Sequence, residues 1–193
     1  MDIKFDKSHQ QIITLNIGEV VVVEKEAKVV WTVLGSCISL IMHIPNKFSI
    51  ISHAQLPHSH HTKYSCKESC PEPCGRHFSE KNSLRNVPCS IDYMLDYIKK
   101  RNIYLNEIEV TLLGGASIFK MVNDNESIGR LNINSALKIL EKNNIKINRR
   151  YVGGMQGISI WYYNSSNRVE ILRHEDQKKY ELLNDSSLNY LSR

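Results

Sequence analysis

A chain of 193 residues with 41% hydrophobic and 23% charged side chains has the make-up of one ordinary globular core. Its formal net charge of +5 is diffuse, with no long basic block and no interleaved aromatics, so nucleic acid is excluded as the expected partner. No apolar run approaches the roughly 18 residues of a membrane span, and the start MDIKFDKSHQQ lacks an apolar signal stretch; the expectation is a cytoplasmic protein with no membrane insertion.

In chain order, residues 19–24 (EVVVVE) and 28–34 (KVVWTVL) are rich in β-branched side chains and predict strands. Residues 38–43 (ISLIMH) and 48–54 (FSIISHA) predict two more, joined by a turn at Pro45-Asn46. Residues 58–86 are polar, rich in His, Cys, Ser and Pro, and without period, which predicts a long loop or insertion. Ile91, Met94, Leu95 and Ile98 then fall on one face of a helix with Pro88 in its first turn. Residues 107–113 (EIEVTLL) predict a strand running into Gly114-Gly115, and Ile133, Ala136, Leu137 and Leu140 predict a helix over about 132–143. Strands recur at 145–152, 157–163 and 168–173. Residues 174–193 are polar with scattered Tyr and Leu, and read as a tail or a weakly docked terminal helix. The whole is one domain over 1–173, with its insertion, followed by that tail.

Leu34-Gly35-Ser36-Cys37 falls where one strand ends and the next begins. A Gly-Ser pair there permits a tight turn, whose successive N–H groups form an anion-binding nest. Such a nest would lower the pKa of an exposed Cys37 thiol and hold the oxyanion of acyl transfer, with Gly35 and Ser36 supplying the turn. A nucleophilic thiol also needs a base. His53 ends the following strand, and pairing of the two strands brings their far ends together; His43 lies at the turn end, away from Cys37. The competing reading is a buried, inert cysteine and an ordinary polar histidine.

The glycine pairs Gly114-Gly115 and Gly153-Gly154 each follow a strand. They read either as tight turns or as close backbone approach to Cys37, and neither forms a phosphate-binding motif. Four of the five cysteines lie elsewhere: Cys66, Cys70 and Cys74 at three-residue gaps, and Cys89 further on, near His58, His60, His61 and His77. Thiolates and imidazoles are the ligands zinc prefers, so a structural zinc on Cys66, Cys70, Cys74 and Cys89 is the metal hypothesis. Free or oxidised thiols in a loop are the alternative.

Several motifs together resemble the chemoreceptor glutamine deamidase family, CheD. They are Thr32-Val33-Leu34-Gly35-Ser36-Cys37, Ile44-Pro45, Ser52-His53-Ala54-Gln55-Leu56-Pro57, Leu113-Gly114-Gly115-Ala116 with Phe119, Ile128-Gly129 with Asn132, and Val152-Gly153-Gly154 with Gly157. The resemblance spans residues 17–173. It implies an α/β fold with mixed β-sheets in α/β/β/α layers, in one domain. It implies deamidation of glutamines on methyl-accepting chemotaxis receptors through a Cys37 thioester, with His53 holding the thiolate and protonating departing ammonia. The same site would hydrolyse glutamyl methyl esters. It needs no cofactor for catalysis, and a CheC-type phosphatase is the implied regulatory partner. Gly114, Gly115 and Gly154 would lie near substrate. The rival is a binding module that regulates the phosphatase or receptors without catalysis.

The family's pattern places a threonine about six residues before the cysteine, where this chain has Trp31. Thr32 is the remaining candidate to orient His53. A one-residue shift on a strand reverses the face, so Thr32 is expected to point away from His53 unless a bulge intervenes. Ile158 and Leu131 likewise stand where the family has arginines.

Overall fold

The β-branched runs place the strands, and pairing sorts them into two sheets. The structure, a computed structural model, describes residues 11–24, 28–57, 83–118, 127–175, 177 and 179–182. The strands are β1 (Gln11–Thr14), β2 (Val20–Val23), β3 (Lys28–Leu34), β4 (Ile38–Ile44), β5 (Phe48–Ala54), β6 (Glu109–Gly114), β7 (Ile147–Val152), β8 (Ile158–Tyr163), β9 (Arg168–Arg173) and β10 (Lys179–Glu181). The helices are α1 (Val87–Lys100) and α2 (Ile128–Lys142). The first sheet has the order β1-β3-β8-β9-β10 and the second β2-β5-β4-β6-β7. Each is mixed: β1 runs parallel to β3 and β6 parallel to β7, while the other pairs are antiparallel.

The sheets face each other across a core of Val30, Leu34, Ile160, Tyr162 and Ile171 from the first and Ile41, Ile51 and Leu113 from the second. On the far side of the second sheet, Leu40, Met42 and Ile50 pack against Ile91, Met94 and Ile98 of α1 and Ala136 and Leu140 of α2. β4 and β5 are thus covered on both faces, which is why their sequences run apolar without a clear period of two. Each such buried aliphatic side chain contributes about 1.5–3 kcal/mol relative to exposure. The expected mixed-sheet α/β class in one domain holds. Among the described residues both helices lie on the second sheet, and none covers the outer face of the first.

The structure departs from expectation at the ends of several elements. α2 begins at Ile128, earlier than the apolar spacing indicates, because Ser127 caps it: its Oγ accepts from Arg130 N at 3.3 Å. β1 is an added edge strand. Residues 179–181, read as part of a tail or weak helix, instead pair with β9 as β10. The expected loop at 58–86 ends in a 3-10 turn, Ser83–Arg85, and an isolated bridge joins Leu56 to Asn86. Cys66, Cys70, Cys74 and the neighbouring histidines of the proposed metal cluster lie outside the described residues.

The segment between β1 and β2 crosses from one sheet to the other. Leu15 N donates to Trp31 O in the first sheet, while Gly18 N donates to His53 O and His53 N to Glu19 O in the second. The crossing fixes the end of β5 against the middle of β3.

Candidate active site

Cys37 sits at the mouth of the β4–β5 ladder. Ile38 pairs with Ala54 and Ser39 with His53, so Cys37 lies one step past the last pair and diagonal to His53. Strand alternation puts both on the inner face, with Ile41 and Ile51. Diagonal neighbours across a pair are within reach of long side chains. His43, by contrast, pairs near the turn end and bonds Ser49 Oγ and Tyr162 OH through Nδ1.

The turn carrying Cys37 is held from two sides. Gly115 N donates to Cys37 O at 2.7 Å and Ala116 N to Gly35 O at 2.9 Å. Asn132 Nδ2 donates to Ser36 O and to Gln55 O, each at 2.8 Å. Gly114 has φ +92° and a Cβ there would run into the carbonyl oxygen of Cys37, so this glycine serves close approach as well as turn geometry. At Gly154 a Cβ would meet nothing, and its φ of +76° marks a turn.

His53 is 3% exposed, and its ring is oriented by the first sheet. Its Nδ1 lies 2.8 Å from Thr32 Oγ1, and Thr32 Oγ1 donates to Leu15 O at 2.7 Å. A hydroxyl has one proton to give. Since Leu15 takes it, His53 Nδ1–H must donate to Thr32, which leaves Nε2 unprotonated in the neutral ring. That Nε2 is buried with no hydrogen-bond partner.

The expectation that Thr32 faces away is therefore overturned, and without a bulge. β3 pairs with β8 in unbroken register from Val29 to Leu34. Val30, Thr32 and Leu34 point inward, while Trp31 faces outward beside Trp161. The expectation counts back from Cys37 to the family's threonine position; the register of β3 sets the inner face instead, and it selects Thr32.

A second expectation is also corrected. Cys37 is 8% exposed, and its thiol pKa is raised: burial dominates over the opposing effects of its own backbone N–H and the Arg85 cation. Burial likewise lowers His53, against smaller opposing effects from the Leu15 carbonyl and Glu19. Both shifts favour the neutral forms, a protonated thiol and an uncharged imidazole.

Arg85 is a site residue that sequence reasoning missed. Its Nη2 donates to Gln55 Oε1 at 2.7 Å, and its Nε is buried without a partner. In sequence it is one cation at the end of a polar, aperiodic stretch, with nothing to distinguish it. Ser39 Oγ, Ser117 Oγ and Asn132 Oδ1 are also buried without partners. These atoms gather around the Cys37 end of the sandwich, where unsatisfied polar groups call for a functional explanation.

Beside the turn lies a cleft of about 580 Å³ whose walls include Ile118, Tyr151, Gly154, Met155, Gln156 and Arg173. Ile118 leans on Gly35, where a Cβ would run into its Cδ1, and so connects the cleft to the Cys37 turn. Ile118 and Met155 are about half exposed, at 48% and 51%. Cys89, the one described member of the proposed metal set, is buried on α1. Among the described residues no group of three or more metal-ligating side chains gathers, and no helix is long and apolar enough to cross a membrane.

The family model described as CheD chemotactic sensory transduction matches residues 70–173, downstream of Cys37 and His53. Relatives align over more of the chain. One from Maridesulfovibrio salexigens, named a probable chemoreceptor glutamine deamidase CheD, is 32% identical over 152 residues, covering 76% of this chain and 83% of its own. Another of that name, from Thermococcus kodakarensis, is 24% identical over 171 residues, covering 88% and 97%. A family match over more than half of the chain, and a relative of this identity and coverage, place the two-sheet protein built around the Cys37 turn in the CheD family.

Proposed function

We propose that this protein deamidates glutamine side chains of methyl-accepting chemotaxis receptors, with Cys37 as nucleophile and His53 as general base. The observation that carries the reading is the chain Leu15 O, Thr32 Oγ1, His53 Nδ1, which leaves Nε2 as a free lone pair on the inner face shared with Cys37. The names of the relatives supply the substrate class.

His53 Nε2 takes the Cys37 proton as the sulfur attacks the carboxamide carbon. The carbonyl oxygen becomes an oxyanion, for which the N–H groups of the Gly35-Ser36-Cys37 turn are the donors. The imidazolium then protonates the amide nitrogen, ammonia leaves, and a thioester remains. Water, deprotonated by His53, attacks the thioester carbon; the thiolate leaves and recovers its proton. The products are glutamate and ammonia. A glutamyl methyl ester would enter the same cycle with methanol as the leaving molecule. Burial favours the neutral thiol and the neutral imidazole, which suits this order, because the proton moves in the step that forms the carbon–sulfur bond rather than before it. The Ile118–Met155 cleft beside the turn is the surface on which the receptor segment would rest.

A CheC-type phosphatase as regulator, a cytoplasmic location and a structural zinc on Cys66, Cys70, Cys74 and Cys89 belong to the same proposal. The zinc is tested by metal analysis of reduced, purified protein; less than stoichiometric metal ends that part.

The central test incubates cytoplasmic receptor fragments with the protein and with Cys37→Ala. The expected outcome is ammonia release and a carboxamide-to-carboxylate mass change at defined glutamines, both lost in the variant. Conversion undiminished in Cys37→Ala would overturn the mechanism. Intact receptor binding without conversion by the unsubstituted protein would favour a binding module.

A further inference from the structure

We propose that Asn132 is the positioning residue of this site: its side-chain amide clasps the residue before Cys37 to the segment after His53 and so fixes thiol against imidazole. The inference rests on the Cys37–His53 couple proposed above and adds to it the device that sets its geometry.

The β4–β5 ladder ends at the pair Ile38–Ala54. Cys37 lies beyond that pair, where the β4–β5 backbone bonds no longer set the spacing of the two chains. Asn132 supplies the hold. Its Nδ2 has two protons, and one goes to each chain: Ser36 O at 2.8 Å and Gln55 O at 2.8 Å. No backbone pairing joins those two residues, so the amide extends the ladder by a side chain from a third element.

α2 is brought close enough to do this by Gly129, one turn earlier on the same helical face. A Cβ at Gly129 would collide with the carbonyl oxygens of Gly115 and Ala116. These are the residues whose N–H groups bond Cys37 O and Gly35 O. The N-terminal part of α2 therefore meets the cysteine turn twice, through Gly115-Ala116 on one side and through Asn132 on the other.

A second observation marks the amide as a buried polar device at the site. Asn132 is wholly buried, at 0% exposure, and its Oδ1 has no partner. The unpaired Oδ1 is a cost, set against two carbonyls that the Nδ2 protons satisfy and that an apolar side chain would strand. What the amide provides and leucine does not is a fixed span between two carbonyls.

The test reads alkylation of Cys37 by iodoacetamide against pH, quantified on the Cys37 peptide by mass spectrometry, together with melting temperature and receptor deamidation. The proteins are the unsubstituted chain, His53→Ala, Asn132→Leu and Asn132→Ser. The serine variant admits water to the two carbonyls and covers the case in which leucine does not fold. The expected result is a folded variant whose alkylation profile collapses onto that of His53→Ala and whose kcat falls about 100-fold with little change in KM. An unaltered profile and kcat in either folded variant would overturn the inference. If the unsubstituted chain and His53→Ala give the same profile, the Cys37–His53 couple itself fails, and this inference falls with it.

Discussion

At the scale of single residues, the site turns on which side of β3 a hydroxyl occupies. Cys37 and His53 were legible because a Gly-Ser turn and two consecutive strands leave few places for their side chains to go. The facing of Thr32 was not legible, since its distance along the chain from Cys37 does not reveal the register in which β3 packs on the second sheet. Its role leads to a direct expectation. Thr32→Val keeps the shape but removes the acceptor for His53 Nδ1–H, so kcat should fall roughly 10- to 100-fold, while Thr32→Ser retains most of the rate. Steady-state ammonia release measures both. The pH profile follows from the same burial. His53 must be neutral to act as base, and its pKa lies below its ordinary 6.5, so the acid limb of kcat/KM should fall below 6.5. The sign for stability agrees: the unfolded chain takes the proton first, so the His53 contribution is complete above 6.5 and is lost as pH falls through the depressed folded value.

At the scale of elements, strands with a packed face could be read from sequence, and those lacking one could not. β2 to β9 announce themselves by β-branched runs or alternation. β10 is Lys179-Tyr180-Glu181, exposed throughout, and exists because β9 offers it an edge. The start of α2 was hidden because Gly129 and Asn132, which face inward, carry no apolar signal. The α1–α2 layer also holds a strained charge. Asp92 on α1 is pushed up to about 6 by burial, which Lys142 only partly offsets. A raised folded pKa means that stability present below 3.8 is lost as pH rises through about 6. Asp92→Asn should therefore stabilise the protein by about 1 kcal/mol at neutral pH, after allowance for partial solvent screening. It should also flatten the dependence of the urea midpoint on pH across that window.

At the scale of the whole molecule, the two ends of the sandwich are built to different rules. Away from Cys37, around a cavity of about 620 Å³, polar side chains are tied together. Arg149 donates to Thr111 Oγ1, Asn167 O and Asn167 Oδ1, and Ser49 donates to Asn164 Oδ1 and meets Tyr162 OH. At the Cys37 end several buried polar atoms have no partner. Substitutions at the two ends should then separate stability from chemistry. Arg149→Leu is expected to cost about 2–3 kcal/mol in denaturant unfolding, by stranding Thr111 and Asn167, while leaving the Cys37 alkylation profile unchanged.

The hydrogen bond from His53 to Thr32 has one more consequence. Thr32 belongs to the first sheet, His53 to the second, and Leu15 O to the crossing segment between them. None of the three alone defines a base. A proteolytic fragment holding one sheet would lack either the histidine or the hydroxyl that orients it. In the proposed reaction the oriented base is complete only once the two sheets have packed, so a folding intermediate with the sheets apart is expected not to deamidate its own glutamines or its neighbours'.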